Sequence, residues 1–187
     1  MSDPQNTIQI YRKTKEGSPW EPELPSQATT QARGFDVRAY LPDGPLRIFP
    51  LQTVMIPTGL YIALPLGTAM MVCSRSGLAK KGIIVTNAPG IIDSDYRGEC
   101  NTLLTYLAPT SPSRLGGPDE RDYFEVKHGD RICQWVFLPA VKSLWGPLNQ
   151  GFARVVAQPV FGEVALFEQL PVPESTRTGG FGSTGVA

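Results

Sequence analysis

The stretch from Gly90 to Glu99 reads GIIDSDYRGE and decides how the rest of the chain is interpreted. It follows an apolar run, Gly82 to Val85, and places two carboxylates, a tyrosine and an arginine between glycines. A buried strand does not accommodate that mixture of side chains. A turn that presents a carboxylate and an aromatic face to a small molecule does. The stretch therefore predicts a ligand-binding turn that follows an apolar run.

The remainder of the chain predicts an all-β protein. Eighteen prolines and 19 glycines interrupt the 187 residues, a spacing that long helices do not tolerate. The segments between the breaks are short, rich in β-formers and partly alternating, which favours a sandwich or a barrel. Strands are predicted at Thr7–Arg12, Leu60–Leu64, Ala69–Cys73, Glu99–Leu107, Ile132–Leu138, Val155–Val160 and Glu163–Phe167. One helical turn is predicted at Leu78–Lys81.

The chain length indicates a single domain with appendages. We assign residues 1–174 to a β domain and residues 175–187 to a flexible, glycine-rich C-terminal tail. Within the β domain, residues 13–31 predict an irregular arm. Residues 108–122 read APTSPSRLGGPDERD from Ala108 onward and predict a polar, exposed loop.

Charge and composition exclude several functional classes. Acidic and basic residues balance at 17 each, which argues against a broad nucleic-acid or membrane surface. No apolar stretch approaches the roughly 20 residues that span a bilayer. The N-terminus has no basic region followed by an apolar one, so we expect a cytoplasmic protein, or a nuclear one in a eukaryote. Three dispersed cysteines and a single histidine, His128, argue against zinc and against a disulfide framework.

Two further segments have the composition of anion sites. Arg75-Ser76-Gly77 follows a predicted strand, and either forms a surface turn with an ion-paired arginine or binds an anion. Gly129-Asp130-Arg131 predicts a hairpin turn that enters a strand. Gln134, three residues after this turn, has an amide that can donate to a phosphate.

The acidic residues and the tail also have two interpretations each. Asp93 and Asp95 are either turn residues or carboxylates for water activation or magnesium. Asp36 either caps a turn or holds a metal-bound water. The tail Gly179–Gly185, which reads GGFGSTG, is either an inert end or a segment that binds phosphate and stacks on a base.

Together, five segments in this order resemble the trimeric deoxyuridine triphosphatases, or dUTPases. They are Arg33–Val37, Ser74–Ala79, Asn87–Gly98, Gly129–Gln134 and Gly179–Gly185. The resemblance implies a jelly-roll-like β fold and a homotrimer with active sites at the subunit interfaces. It also implies Mg²⁺-dependent hydrolysis of dUTP to dUMP and pyrophosphate. This reaction keeps uracil out of DNA and supplies dUMP for dTTP synthesis.

The resemblance further implies a role for individual residues. Asp93 matches the carboxylate that activates water, and Asp36 matches a residue that reaches Mg²⁺ through water. The matches to phosphate contacts are Arg75, Ser76, Gly77 and Gln134. The implied uracil pocket comprises Asn87, Gly90, Ile91, Ile92 and Asn101, with Tyr96 against the deoxyribose. In the tail, Phe181 is implied to cover the uracil. The other tail residues implied to bind the nucleotide are Arg177, Gly182, Ser183 and Thr184.

The sequence departs from the family pattern at several positions. Ser74 stands where proline is usual, Arg33 where a small residue is usual, and Cys133 where alanine is common. Arg177 precedes Phe181 by four positions instead of five. The distance from Gln134 to the tail is longer than typical, so an insertion is expected at residues 139–159.

Two alternatives belong to other functional classes. A dCTP deaminase shares the fold and the Ile-Asp turn, but the position of its catalytic glutamate is occupied here by Leu103. A non-catalytic trimer that binds nucleotide for regulation is the second alternative.

Overall fold

The computed structural model describes residues 7–107, 122–139, 161–164 and 170. Several predictions lie outside these residues. They are the strand Val155–Val160, the loop except for Asp122, the expected insertion except for Pro139, and the whole tail.

Over the described ranges the chain forms thirteen strands and one turn of helix, and the all-β prediction is confirmed. The strands are β1 (Ile8–Arg12), β2 (Ser26–Gln27), β3 (Phe35–Arg38), β4 (Leu46–Ile48), β5 (Thr53–Ile56), β6 (Leu60–Ala63), β7 (Thr68–Cys73), β8 (Ile83–Val85), β9 (Gly90–Ile92), β10 (Thr102–Tyr106), β11 (Phe124–Val126), β12 (Arg131–Pro139) and β13 (Phe161–Val164). The helical turn α1 (Ser76–Ala79) lies between β7 and β8.

The strands pair into four sheets. The largest has the order β2-β3-β12-β7-β9, and all of its pairings are antiparallel. Two three-stranded sheets have the orders β5-β10-β8 and β13-β1-β6, and β11 pairs with β4. The pairing of β1 with β13 is parallel, which joins the two ends of the described chain in one sheet.

Alternation along the strands produces the core. In β7, Met70 and Val72 are buried while Cys73 is only half-buried, because successive side chains point to opposite faces of the sheet. Trp135 of β12 is fully buried together with side chains from the other sheets. Burial of each large apolar side chain contributes about 1.5–3 kcal/mol to stability. The five-stranded sheet therefore has one face in the core and one that faces outward.

Predicted and observed elements differ mainly at their boundaries. The strand predicted from Glu99 begins only at Thr102, because Asn101 N donates to Glu99 O within the chain and not to a neighbouring strand. The helical turn begins two residues earlier than predicted, because the Arg75 carbonyl accepts from the amides of Leu78 and Ala79. The strands that were not predicted are short or carry polar side chains: β2, β3, β4, β5, β8, β9 and β11.

The arm at residues 13–31 is irregular apart from β2, as predicted, and most of its residues are exposed, but hydrogen bonds attach it to the body. Lys15 N donates to Tyr40 Oη at 2.8 Å, and Arg12 Nη1 donates to Pro22 O at 3.2 Å. All three cysteines are free; Cys100 and Cys133 are buried and Cys73 is half-buried. Among the residues described, no helix is long and apolar enough to cross a membrane.

Candidate active site

A polar cluster occupies the outward face of the five-stranded sheet where β3, β12 and β7 run side by side. Gln134 of β12 lies directly opposite Asp36 of β3 on one side and Cys73 of β7 on the other. Residues in directly opposed positions present their side chains to the same face. The register therefore places Asp36 and Gln134 together, and the end of β7 brings Arg75 to them.

Asp36 is the centre of this cluster. Its side chain is only 4% exposed, and it accepts hydrogen bonds at both oxygens. Oδ1 accepts from Arg75 Nε at 2.9 Å and from Gln134 Nε2 at 3.1 Å, while Oδ2 accepts from Arg131 Nη1 at 3.0 Å. The three donors come from two different segments, so the carboxylate links the end of β7 to β12.

The surroundings of Asp36 keep it charged. Burial alone raises the pKa of a carboxyl group, but the hydrogen bonds from Gln134 and Arg75, the charge of Arg75 and the hydrogen bond from Arg131 outweigh it. The pKa of Asp36 is therefore below its ordinary value. Two guanidinium groups against one carboxylate leave the cluster with a net positive charge, which favours an anion beside it.

Ser76 and Gly77 extend this cluster into solvent. Both are exposed at the start of α1, directly after Arg75. A Cβ added at Gly77 meets no atom within 4 Å, so the backbone there is open to a ligand. Exposed amides next to a cationic cluster provide donors for phosphate oxygens.

The segment before β9 forms a second, separate group. The peptide bond between Ala88 and Pro89 is cis, and Gly90 lies opposite Val72 at the start of β9. A Cβ on Gly90 would lie 3.0 Å from Asn87 Nδ2, so glycine at this position lets the Asn87 amide lie close against the strand. Asn87 is exposed, and Ile91 is 52% exposed. This segment, residues 87–92, therefore presents polar and apolar groups to solvent, and we call it the β9 segment.

The turn after β9 carries the candidate carboxylate. Asp93 is exposed, and its carbonyl accepts the Tyr96 amide at 3.1 Å. Tyr96 is buried, and its Oη donates to Glu99 O at 3.0 Å, so the hydroxyl is already bound within the chain. Tyr96 is only 7% exposed and belongs to the hydrophobic core, so only a small part of its ring is open to a ligand.

Two polar oxygens near this turn are buried without a partner, namely Asn101 Oδ1 and Asp95 Oδ1. Arg97 of the same turn is also buried and donates to the carbonyls of Ser94 and Tyr96 at 2.9 and 2.7 Å. Burial lowers the pKa of Arg97, and the nearby Asp95 opposes this effect. Sequence reasoning did not predict this buried arginine, which fixes the shape of the turn through backbone carbonyls.

Comparison with known proteins identifies the family. A family model described as dUTPase matches residues 21–111. A deoxyuridine 5'-triphosphate nucleotidohydrolase of Dinoroseobacter shibae is 38% identical over 176 residues, which cover 89% of this chain and 92% of that protein. A protein of the same name from Caulobacter vibrioides is 41% identical over 165 residues, covering 87% and 86%. The chain belongs to the dUTPase family.

Solved dUTPase structures agree with the fold. The dUTPase of phage phi11 of S. aureus aligns with a TM-score of 0.58 at 20% identity and covers 79% of this chain and 100% of its own. The EIAV dUTPase aligns with a TM-score of 0.53 over the same shares, also at 20% identity. The predicted dUTPase resemblance and fold are both confirmed.

The two groups of candidate residues do not meet within one dUTPase chain. Asp36 lies on β3, which is three strands away from β9 in the sheet. Gln134 is paired with Asp36 on one side and Cys73 on the other, so Asp36 and Cys73 lie at the same level along the strands. Asp93 follows Ile92, which pairs with Met70 near the start of β7. With strands about 4.8 Å apart and a rise of about 3.3 Å per residue, the Cα atoms of Asp36 and Asp93 are roughly 20 Å apart in a regular sheet.

The described residues of this dUTPase fit a metal ion held mainly by its substrate. No group of three or more His, Cys, Asp or Glu side chains among them could hold a metal. An ionised carboxylate has about four acceptor positions, and three at Asp36 are occupied. The remaining position suits one hydrogen bond from a metal-bound water. The phi11 dUTPase itself coordinates a structural Mg(II) ion.

The alternatives from the sequence are not favoured for this dUTPase. Leu103, at the position of the deaminase glutamate, lies opposite Met55 of β5 and has no acidic function. Arg131 and Arg97 are the polar residues that sequence reasoning did not select. The sequence signal for these two arginines was only that they lie close to the Gln134 and Asp93 motifs. The contacts through which each acts are created by the fold.

Proposed function

We propose that this protein hydrolyses dUTP to dUMP and pyrophosphate, with water attacking the α-phosphorus. The observation that carries the proposal is the cluster on the outward face of the sheet. There, two arginines and a glutamine converge on buried Asp36 beside the open backbone of Gly77. A cationic, hydrogen-bonding surface of this kind is what a triphosphate requires.

The phosphate contacts follow from this geometry. Arg75 has its Nε on Asp36 and its Nη1 on Arg131 O, which holds the guanidinium plane in one orientation. Gln134 has one amide hydrogen engaged and a second available for a phosphate oxygen. Ser76 and Gly77 supply a hydroxyl and backbone amides. A site with fixed donors stabilises developing charge without reorganising during the reaction.

We place the uracil and the sugar at the β9 segment. Asn87, Gly90, Ile91 and Ile92 form its rim, and the unpartnered Asn101 Oδ1 offers a buried acceptor for a ring N–H. A buried acceptor without a partner is costly unless a ligand or a water satisfies it. Tyr96 contributes its ring, because its hydroxyl is bound to Glu99 O, and a ring packed against deoxyribose leaves no room for a 2′-hydroxyl.

Asp93 is the proposed general base. Its exposed carboxylate, directly after the β9 segment that we propose to hold the base, can accept a proton from a water aligned with the α-phosphorus. Asp36 is not suited to this role, because its oxygens already bind three donors. When bound, Mg²⁺ neutralises phosphate charge and aids departure of pyrophosphate. Asp36 would hold it through water.

We further propose that the active site forms between copies of the chain in a homotrimer. Within one chain, Asp36 and Asp93 are separated by roughly 20 Å. A bound triphosphate is too short to bridge them. In a closed ring, the β9 segment of one protomer would meet the phosphate cluster of the next. The tail, with Arg177, Phe181, Gly182, Ser183 and Thr184, would then close over the nucleotide as a lid does.

One panel tests the proposed reaction. Pyrophosphate release is measured with dUTP, dTTP, dCTP and UTP in the presence of Mg²⁺, alongside ammonia release from dCTP. We expect release from dUTP alone, because the family resemblance implies a pocket without room for a thymine methyl group or a 2′-hydroxyl. No release from dUTP, or ammonia from dCTP, would overturn the proposal.

A further inference from the structure

Arg131 makes two separate contacts with the phosphate cluster. Its side chain, 47% exposed, donates from Nη1 to Asp36 Oδ2 at 3.0 Å. Its backbone carbonyl accepts from Arg75 Nη1 at 3.1 Å. The residue begins β12 immediately before an irregularity in the pairing with β3, so its side chain and its carbonyl both reach the cluster.

These contacts fix the orientation of the Asp36 carboxylate. The torsion that rotates a carboxylate is broad and intrinsically poorly defined. Arg75 and Gln134 both bind Oδ1, whereas Arg131 is the residue within the described ranges that secures Oδ2. Without the hydrogen bond from Arg131, the carboxylate can rotate. Arg75 and Gln134, which both bind Oδ1, are then no longer held in a fixed orientation.

We propose that Arg131 is a positioning residue of the phosphate site, which acts on Arg75 and Gln134 through Asp36. The inference deepens the proposed function and rests on it. Arg131 aligns the donors that contact the triphosphate and does not need to contact the triphosphate itself. Its removal therefore weakens phosphate binding while the fold and the base pocket remain intact.

The first experiment compares Arg131→Met and Arg131→Lys with the matched control Arg47→Met. Arg47 is similarly exposed, at 56%, and pairs with Glu125 at 3.8 Å, away from the cluster. For Arg131→Met we expect the KM for dUTP to rise about tenfold, the effect of losing one charge-assisted hydrogen bond. We expect kcat to change less than KM, Arg131→Lys to recover most of the loss, and Arg47→Met to match the wild type.

Equilibrium binding and stability complete this comparison. Titration calorimetry with a non-hydrolysable α,β-imido analogue of dUTP should show the same tenfold loss for Arg131→Met, measured at a temperature at which thermal unfolding shows the variant to be fully folded. If Arg131→Met does not fold, Arg131→Lys carries the test, with a smaller loss of affinity that is still measurable against Arg47→Met. Kinetics and affinities of both Arg131 variants equal to those of Arg47→Met would overturn the inference.

A double-mutant cycle separates positioning from direct contact with the substrate. In an Asp36→Asn background, Arg131→Met should raise the KM by less than about threefold further, because the carboxylate that connects Arg131 to Arg75 has already been removed. A full additional tenfold loss would show that Arg131 binds phosphate directly, and would refute a role through Asp36. Wild-type protein that releases no pyrophosphate from dUTP would refute the proposed function instead.

Discussion

Gln134 on β12 lies directly opposite Asp36 on β3, and its Nε2 atom donates to Asp36 Oδ1 at 3.1 Å. Arg75 Nε reaches the same oxygen atom at 2.9 Å. One carboxylate thus orients an amide and a guanidinium that come from different parts of the chain. Because both contacts depend on the negative charge, the ionisation of Asp36 affects the stability of the sheet as well as the proposed binding of phosphate.

Asp36→Asn should destabilise the protein in a pH-dependent manner. The pKa of Asp36 is depressed in the folded state, so its stabilising contribution is present above its unfolded pKa of about 3.9. The contribution is lost as the pH falls through the folded pKa. We expect the variant to be less stable by about 1–3 kcal/mol at pH 7. The difference should disappear as the pH falls below about 4.

Thermal unfolding between pH 7 and pH 3, without divalent cations, measures this difference. Asp43→Asn is the control, because Asp43 forms an exposed pair with Lys15 and its side chain is 76% exposed. Surface pairs of this kind contribute about 0–1 kcal/mol. A gap between wild type and Asp36→Asn that stays constant down to pH 3 would contradict the assigned charge state.

Asp93→Asn should separate catalysis from binding. The substitution preserves shape and removes the proton acceptor, so kcat should fall by about 10²–10⁴. Affinity for the non-hydrolysable dUTP analogue should change little, because the proposed phosphate contacts lie elsewhere. Pyrophosphate release and calorimetry measure the two quantities. A kcat equal to that of the wild type would eliminate Asp93 as the base.

The sequence predicts the local features of this site and not the contacts between distant segments. Strands with regular alternation, such as β1 and β7, were predicted to within one or two residues, because side-chain period is a local property. The hydrogen bond between Asp36 and Gln134 joins residues 98 positions apart. It depends on strand register, which no local pattern specifies. The burial of Arg97 is likewise set by packing.

Gly59→Ala should be strongly destabilising. Gly59 has φ of +68°, and an added Cβ would lie 2.4 Å from Pro22 Cγ and 3.0 Å from Tyr40 Cδ1. The left-handed backbone costs about 1–2 kcal/mol, and overpacking adds about 1–3 kcal/mol. We expect a loss of about 2–5 kcal/mol in the free energy of unfolding, measured by denaturant titration.

Gly17→Ala isolates the backbone contribution. Gly17 has a similar φ of +73°, but a Cβ added there would have no atom within 4 Å. This variant should lose only about 1–2 kcal/mol. Equal losses for the two variants would mean that the contact between the arm and the body at Pro22 adds nothing.

Gly90→Ala should impair nucleotide binding with little effect on the fold. An added Cβ would lie 3.0 Å from Asn87 Nδ2 and 3.6 Å from Val72 Cβ. The nearest atom is the end of a flexible side chain, so the Asn87 amide moves while the strand stays in place. We expect a stability change of less than about 1 kcal/mol. The KM for dUTP should rise about tenfold, as expected when a site loses one well-placed hydrogen bond.

Asn87→Ala is the matched comparison for this prediction. If Gly90→Ala acts by displacing the Asn87 amide, the two single variants should show similar KM values. The double variant should then be no worse than either, because residues that act through one contact are not additive. A normal KM for Gly90→Ala beside a raised KM for Asn87→Ala would show that the amide keeps its position, and that glycine is required here for another reason.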